Sequence, residues 1–262
     1  MAGIASSEKN SPASTTASND PMLGVNRRLE ALIQTAKFQA LGPDRVLEFP
    51  AWDHAIRMFI PYALTEAVQG HILRAGNFFE HRILAEAMGH ISPGSTVLDA
   101  GANIGNHTIF FSKVCQAGSV HAFEPMRLTY SLLQRNIALN SLQNVTAHNA
   151  ALGAEPGTAK LLSYSSGNLG MSSVSYDGGI YPVTTIDALR LERLDFVKID
   201  VEGAHMEVLE GGRETLRRLK PKIWIELRPN RRELQSGDEL LRSMGFRQAR
   251  ALSTTDFLYT AE

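Results

Sequence analysis

The chain has 262 residues, 44% of them hydrophobic, with 26 basic against 27 acidic side chains and a formal net charge of −1. That apolar content can fill a complete core, and the length suits one α/β domain with an added segment better than two independent domains. The near-zero charge excludes a global field that would draw the protein onto nucleic acid or an acidic membrane, and the one cysteine, Cys115, excludes an intrachain disulfide and a multi-cysteine zinc site and points to a reducing, cytoplasmic setting.

Residues 1–20 are Ser, Ala, Thr and Asn with hardly a large apolar side chain, which reads as a flexible tail without the apolar core of a secretory signal. No apolar run approaches the ~18 residues of a membrane span. Residues 21–90 form an accessory or cap segment: a polar helix around Arg27 to Gln39, alternating strands at Val46–Phe49 and Ile56–Ile60, and a helix carrying Phe79, Ile83, Leu84, Ala87 and Met88. After the Ser92-Pro93-Gly94 turn, strand and helix alternate through 91–262. Strands fall at Thr96–Asp99, Ser119–Phe123, Val145–Asn149, Phe196–Asp200 and Ile223–Glu226, and one helix carries Val208, Leu209, Leu216 and Leu219 between the last two. This order predicts an α/β fold, a doubly wound, mostly parallel Rossmann-like sheet. Ser236 with Glu239 makes a capping-box pattern before Leu240-Leu241, and Phe246–Arg250 with Phe257–Tyr259 reads as a closing C-terminal antiparallel hairpin.

Three strand ends carry the ligand chemistry. A strand ending in Asp99, then Gly101-Ala102-Asn103-Ile104-Gly105 and a helix, places glycines where the backbone turns sharply against a ligand. Asn103 stands where a dinucleotide loop has its middle glycine, and the acid at Asp99 would repel a pyrophosphate but suit an ammonium group. Glu124, about twenty residues past Gly101, is placed to accept from both ribose hydroxyls. Asn149-Ala150 ends the third strand, where an amide side chain and a backbone N–H can meet an adenine. Methionine, ribose and adenine together describe S-adenosyl-L-methionine.

With Val97 to Thr108, Ala122-Phe123-Glu124-Pro125, His148 to Gly153, Asn168-Leu169-Gly170 and above all Phe196-Val197-Lys198-Ile199-Asp200-Val201-Glu202-Gly203, the sequence resembles the FkbM-type S-adenosylmethionine-dependent O-methyltransferases, from about Phe78 to Tyr259. The resemblance implies the class I methyltransferase fold. It assigns cofactor binding to Asp99, Gly101, Asn103, Gly105, Thr108, Glu124, Asn149 and Ala150, with His107, Pro125 and Asp200 beside them, and it turns Asp200 and Glu202 toward the methyl group and substrate. His205 departs from the family pattern, which more often has an acid there.

An alcohol needs a base within reach of its proton, and Asp200, Glu202, Glu226, His205 and His107 are the candidates, with helix capping a rival role for Glu202. No metal-ligand spacing is present, so no metal is expected. The basic cluster of Arg213, Arg217, Arg218, Lys220, Lys222, Arg228, Arg231 and Arg232 reads as a solvated helix face and exit loop rather than a nucleic-acid surface. The expected acceptor is a small-molecule or glycan hydroxyl. The alternatives are a non-catalytic cofactor-binding protein, a nucleic-acid methyltransferase and, disfavoured by Asn103 and Asp99, a nicotinamide oxidoreductase. Acceptor contacts are expected from the 24–90 segment and from a Ser163–Tyr181 loop bearing Tyr164, Tyr176 and Tyr181; the N-terminal segment suits a lid or a homodimer contact equally.

Overall fold

In the computed structural model the described residues are 21–163, 167, 173–228 and 232–262. The expected tail at 1–20, Tyr164, Asn168-Leu169-Gly170 and Arg231 lie outside them. The order opens with a helix, α1 (Pro21–Ala40), a hairpin of β1 (Val46–Ala51) and β2 (His54–Phe59), and helices α2 (Ala67–Ala75) and α3 (His81–Met88). The alternating part follows: β3 (Thr96–Ala100), α4 (Asn106–Ile109, running into a π-helical turn at Phe110–Val114), β4 (Ser119–Phe123), α5 (Arg127–Leu139) and β5 (Val145–His148). Four short strands come next, β6 (Ala151–Leu152), β7 (Gly157–Ser163), β8 (Ser173–Ser175) and β9 (Tyr181–Thr184). The chain ends with β10 (Phe196–Ile199), α6 (His205–Glu210), α7 (Arg213–Leu219), β11 (Lys222–Glu226), α8 (Glu233–Ser243), β12 (Phe246–Ala251) and β13 (Asp256–Ala261).

Seven strands form one sheet in the order β12-β13-β11-β10-β3-β4-β5. The five from β11 to β5 are parallel, and β13 runs antiparallel to both β11 and β12, the closing hairpin read from the sequence. The strand order reverses between β3 and β10. At such a point successive crossovers leave in opposite directions and open a crevice at the carboxyl ends of the strands.

Alternation along the buried strands divides the core between the two faces of the sheet. Val97, Phe196 and Trp224 face one side with Phe110 and Phe111, and Phe49, Ile56, Met58, Ile60 and Phe78 of the N-terminal segment join that same cluster. Leu98, Val197, Ile199, Ile223 and Ile225 face the other side, against Val208, Leu209, Leu216 and Leu241 of the later helices.

Asn136 of α5 and Asn140 at its C-cap, one turn apart, fasten the N-terminal hairpin to the sheet domain. Asn140 accepts from the Arg57 N–H at 3.1 Å and donates to the Arg57 carbonyl at 2.6 Å, while Asn136, fully buried, accepts from the Phe59 N–H at 2.6 Å and donates to the Ile104 carbonyl at 2.8 Å. Side-chain amides thus stand where a neighbouring strand would satisfy the edge of β2.

Three local expectations change. The Ser163–Tyr181 stretch contains β8, which pairs with β7, and its Val174 and Tyr176 pack against Ala151, Ala159 and Val183. Ser236 does not cap: it lies inside α8, bonding back to the Arg232 and Glu233 carbonyls, because the helix already begins at Glu233, whose charge favours a first turn. The single helix expected over 208–219 is broken at Gly211-Gly212, where a Cβ on Gly211 would stand 1.9 Å from the Gly153 carbonyl oxygen.

Replacing Asn136 by Ala strands a buried N–H and a buried carbonyl, so Asn136→Ala is expected to cost about 1–3 kcal/mol per unpaired group. Urea unfolding measures it; a midpoint unchanged from wild type would show that the amide does not hold the hairpin.

Candidate active site

A cavity of about 250 Å³ opens at the carboxyl ends of β3, β4, β10 and β11. On its β3–β4 side, Gly101 and Ala102 donate to the Phe123 carbonyl, and Gly101 takes a φ of +83° with no room for a side chain, since a Cβ would lie 1.9 Å from the Asp200 carbonyl oxygen. Glu124 is 7% exposed on the cavity wall. One carboxylate oxygen accepts from the Asn103 N–H at 2.9 Å, the other from the Met126 N–H at 2.9 Å and the Thr129 hydroxyl at 2.7 Å. Burial pushes its carboxyl above the usual carboxylate range, and these three bonds only partly oppose the shift. Asn103, at φ +50°, also lines the cavity, and its side-chain oxygen is buried without a hydrogen-bond partner.

The Asp99 carboxylate points elsewhere. It is fully buried, accepts from the Thr108 hydroxyl at 2.6 Å and lies 3.9 Å from the Lys198 ammonium. Neither Asp99 nor Thr108 lines the cavity: strand alternation turns Asp99 beneath its floor, and Thr108 of α4 donates to it there. Gly105, also off the wall, packs against Leu133. Asn149 braces the wall from behind, donating at 2.9 Å to the carbonyls of both Glu124 and Pro125, and Pro125 and Ala150 form the lining itself.

The β10–β11 side is a group of carboxylates. Asp200 follows β10 and Glu226 ends β11, and the parallel register that sets Ile199 beside Ile225 brings their carboxyl groups into hydrogen-bond contact. Lys198, 1% exposed in the middle of an otherwise apolar strand, donates to Asp200 at 2.9 Å. Burial would raise Asp200, but the charge and the hydrogen bond of Lys198, with contributions from His107 and Glu226, together hold the carboxyl low. Glu226 goes the other way: burial first and the Asp200 charge second push its carboxyl up to about 8. The pair therefore holds one proton near neutral pH, on Glu226.

Glu202 lines the cavity but is held by Arg228 in a two-bond clasp at 2.6 and 2.8 Å. It does not cap α6, which starts at His205 without a side-chain cap. His205 is buried behind Ala204 and off the cavity wall, and burial lowers its pKa and keeps it neutral. His107 does line the cavity, with its Nε2 at 3.1 Å from Glu80 and its ring edge-on to Trp224 at 5.2 Å. Tyr176 lines it too, its hydroxyl donating to the Leu152 carbonyl at 2.7 Å, whereas Tyr181 does not.

Five lining or supporting groups were not singled out in the sequence: Lys198, Arg228 as partner of Glu202, Asp256, Glu80 and Phe79. A lysine inside a buried strand was a visible signal, since such residues enter a core only when paired. Glu80 carries none, because only the packing of the N-terminal segment brings it to the rim. Of the basic cluster, Arg213 pairs with Glu210, Arg218 donates to the Leu191 carbonyl and Lys222 to the His90 carbonyl. Among the described residues no three His, Cys, Asp or Glu side chains converge as a metal site, and no helix is long and apolar enough to cross a membrane.

A family model described as the methyltransferase FkbM domain matches residues 99–248. Methyltransferase 1 of Beauveria bassiana strain ARSEF 2860 is 30% identical over 180 residues, covering 58% of this chain and 72% of that protein. Methyltransferase sdnD of Sordaria araneosa is 31% identical over 153 residues, 44% of this chain and 59% of that protein. The crystal structure of methyltransferase FkbM from Methylobacillus flagellatus KT aligns with a TM-score of 0.51 at 19% identity, over 89% of this chain but 60% of its own.

Removing the Lys198 charge leaves the fully buried Asp99 without its neighbouring cation and Asp200 without its hydrogen-bond donor. Lys198→Met is expected to destabilise the fold by about 3–5 kcal/mol in denaturant unfolding. A loss well under 1 kcal/mol would mean that the two carboxylates are stabilised from elsewhere.

Proposed function

Because this chain belongs to the FkbM methyltransferase family, we propose that it methylates a hydroxyl of a sugar, glycan or natural-product intermediate with S-adenosyl-L-methionine as donor. The residues present fit that donor. Glu124, buried and already fixed by three hydrogen bonds, keeps acceptor capacity for the ribose hydroxyls, and Ala150 would meet the adenine with its backbone. The unpartnered oxygen of Asn103 is an acceptor for the ammonium group, a role for which Asp99 is turned the wrong way. When bound, the donor supplies an electrophilic methyl group on a sulfonium and leaves as S-adenosylhomocysteine.

The chain's own task is to hold the acceptor oxygen in line and take its proton as the new O–C bond forms. The placement of Asp200 and Glu226 on the cavity wall, at the carboxyl ends of neighbouring parallel strands, is the observation that carries this reading. A base works best with a pKa near the working pH, and Glu226, at about 8, meets that condition while Asp200 does not. Asp200, held low with Lys198 beside it, contributes the charge that raises Glu226, and Glu226 takes the one hydroxyl proton. Glu202 has both carboxylate oxygens occupied by the Arg228 guanidinium, and His205 does not line the cavity.

Glu226 must be deprotonated to act, so kcat/KM is expected to rise with pH through about 8. Glu226→Gln should remove that limb and lower the rate by about 10²–10⁴-fold. Asp200→Asn, which deletes the neighbouring negative charge, should move the limb toward lower pH. A wild-type profile flat from pH 6 to 9, or a Glu226→Gln enzyme at full rate, would reject the assignment. Calorimetric binding of S-adenosylhomocysteine without methyl transfer to any hydroxyl would favour a non-catalytic cofactor-binding protein.

A further inference from the structure

The N-terminal segment reaches the cavity through Glu80, which lies before the stretch that the family model covers. Glu80 has φ +58°, a left-handed conformation that a glutamate adopts only when its surroundings hold it there. Those surroundings are specific. Asn106, 3% exposed, accepts from the Phe79 N–H at 2.9 Å and donates to the Phe79 carbonyl at 3.1 Å, pinning the backbone next to Glu80. His107 then fixes the carboxylate itself at 3.1 Å.

Held this way, Glu80 closes a wall that already includes Asp200, Glu202, Glu226 and Asp256. Arg228 is the one lysine or arginine among the described lining residues, and Glu202 occupies both arms of its guanidinium. Lys198 lies beneath the surface, bonded to Asp200. Asp256 is held by neutral donors, Trp224 at 2.9 Å and the hydroxyls of Ser253 and Thr255. Among the described lining residues an incoming phosphate or carboxylate meets no lysine or arginine free to receive it, while hydroxyl and ammonium donors meet several carboxyl groups. Like charges brought together in a partly desolvated site repel strongly, so this wall discriminates by sign of charge.

Building on the methyl-transfer reading, we propose that Glu80 is a specificity-determining residue: with the clasped Arg228 it restricts the acceptor to uncharged or amine-bearing hydroxyl compounds and turns away those carrying a phosphate or carboxylate. Radiolabelled methyl transfer from S-adenosylmethionine by the full chain tests this, using three sets of hydroxyl compounds on shared scaffolds: uncharged, amine-bearing, and carboxylate- or phosphate-bearing. Incorporation into the first two sets should exceed that into the third by about 100-fold or more. Glu80→Gln should reduce that ratio about tenfold while the melting temperature and the Kd for S-adenosylhomocysteine stay at wild-type values. Equal or greater incorporation into the anionic set, none into the other two, or an unchanged ratio in Glu80→Gln overturns the proposal. Failure of the wild-type chain to bind S-adenosylhomocysteine would instead overturn the methyl-transfer reading beneath it.

Discussion

A lysine ammonium buried between two carboxylates sets the terms for the rest of this structure. Lys198 lies on β10 directly between Asp99 on β3 and Trp224 on β11 in register, with Asp200 two residues on. A lone ammonium in that layer would be intolerable, and so would either carboxylate without it. The three charges are therefore interdependent, and they fix the strand ends that form the cavity floor. Asp99, which looks like a ligand-binding acid, is committed to this layer through Thr108 and Lys198.

The same layer needs a cover. The sheet face that carries Lys198 and Trp224 is roofed by the aromatic residues of α4 and its π-helical extension and by the apolar residues of the N-terminal hairpin. That hairpin is held by Asn136 of α5 and Asn140 at its C-cap, and nearer the rim Asn106 holds the backbone of Phe79 ahead of α3. Polar side chains satisfy backbone groups at each of these joints, so the segment docks in one register and delivers Phe79 and Glu80 to a defined place.

Electrostatic division of labour follows from these positions. Glu124 and Glu226 are both raised by burial, but the first is surrounded by N–H and O–H donors, whereas the second faces another carboxylate. Asp200, its side chain 36% exposed, stays low with Lys198 in contact with it. Glu202 is bound to Arg228. Carboxylates that are alike in solution are thus set apart by burial and by their immediate partners: donors around Glu124, a second carboxylate beside Glu226, Lys198 beside Asp200 and Arg228 on Glu202.

The sequence by itself determined the alternating strands and helices, the parallel sheet with its antiparallel closing hairpin, and the general location of the ligand groups, because periodicity, turn glycines and strand-end acids are local features of the chain. Gly101, Asn103, Glu124, Asp200 and Glu226 were all legible as residues at strand ends. Only the tertiary structure decided which of them face the cavity. Asp99 turns under the floor with Thr108 of α4 bonded to it, and His205 of α6 is buried off the wall, since strand phase and helix packing set the direction of each side chain. Asp200 from a different strand adds to the burial that raises Glu226, and the place of Glu80 depends on Asn106 and His107 of α4. Such pairings join residues far apart in the chain, and their energies come from burial and from charge at close range, which no local spacing records.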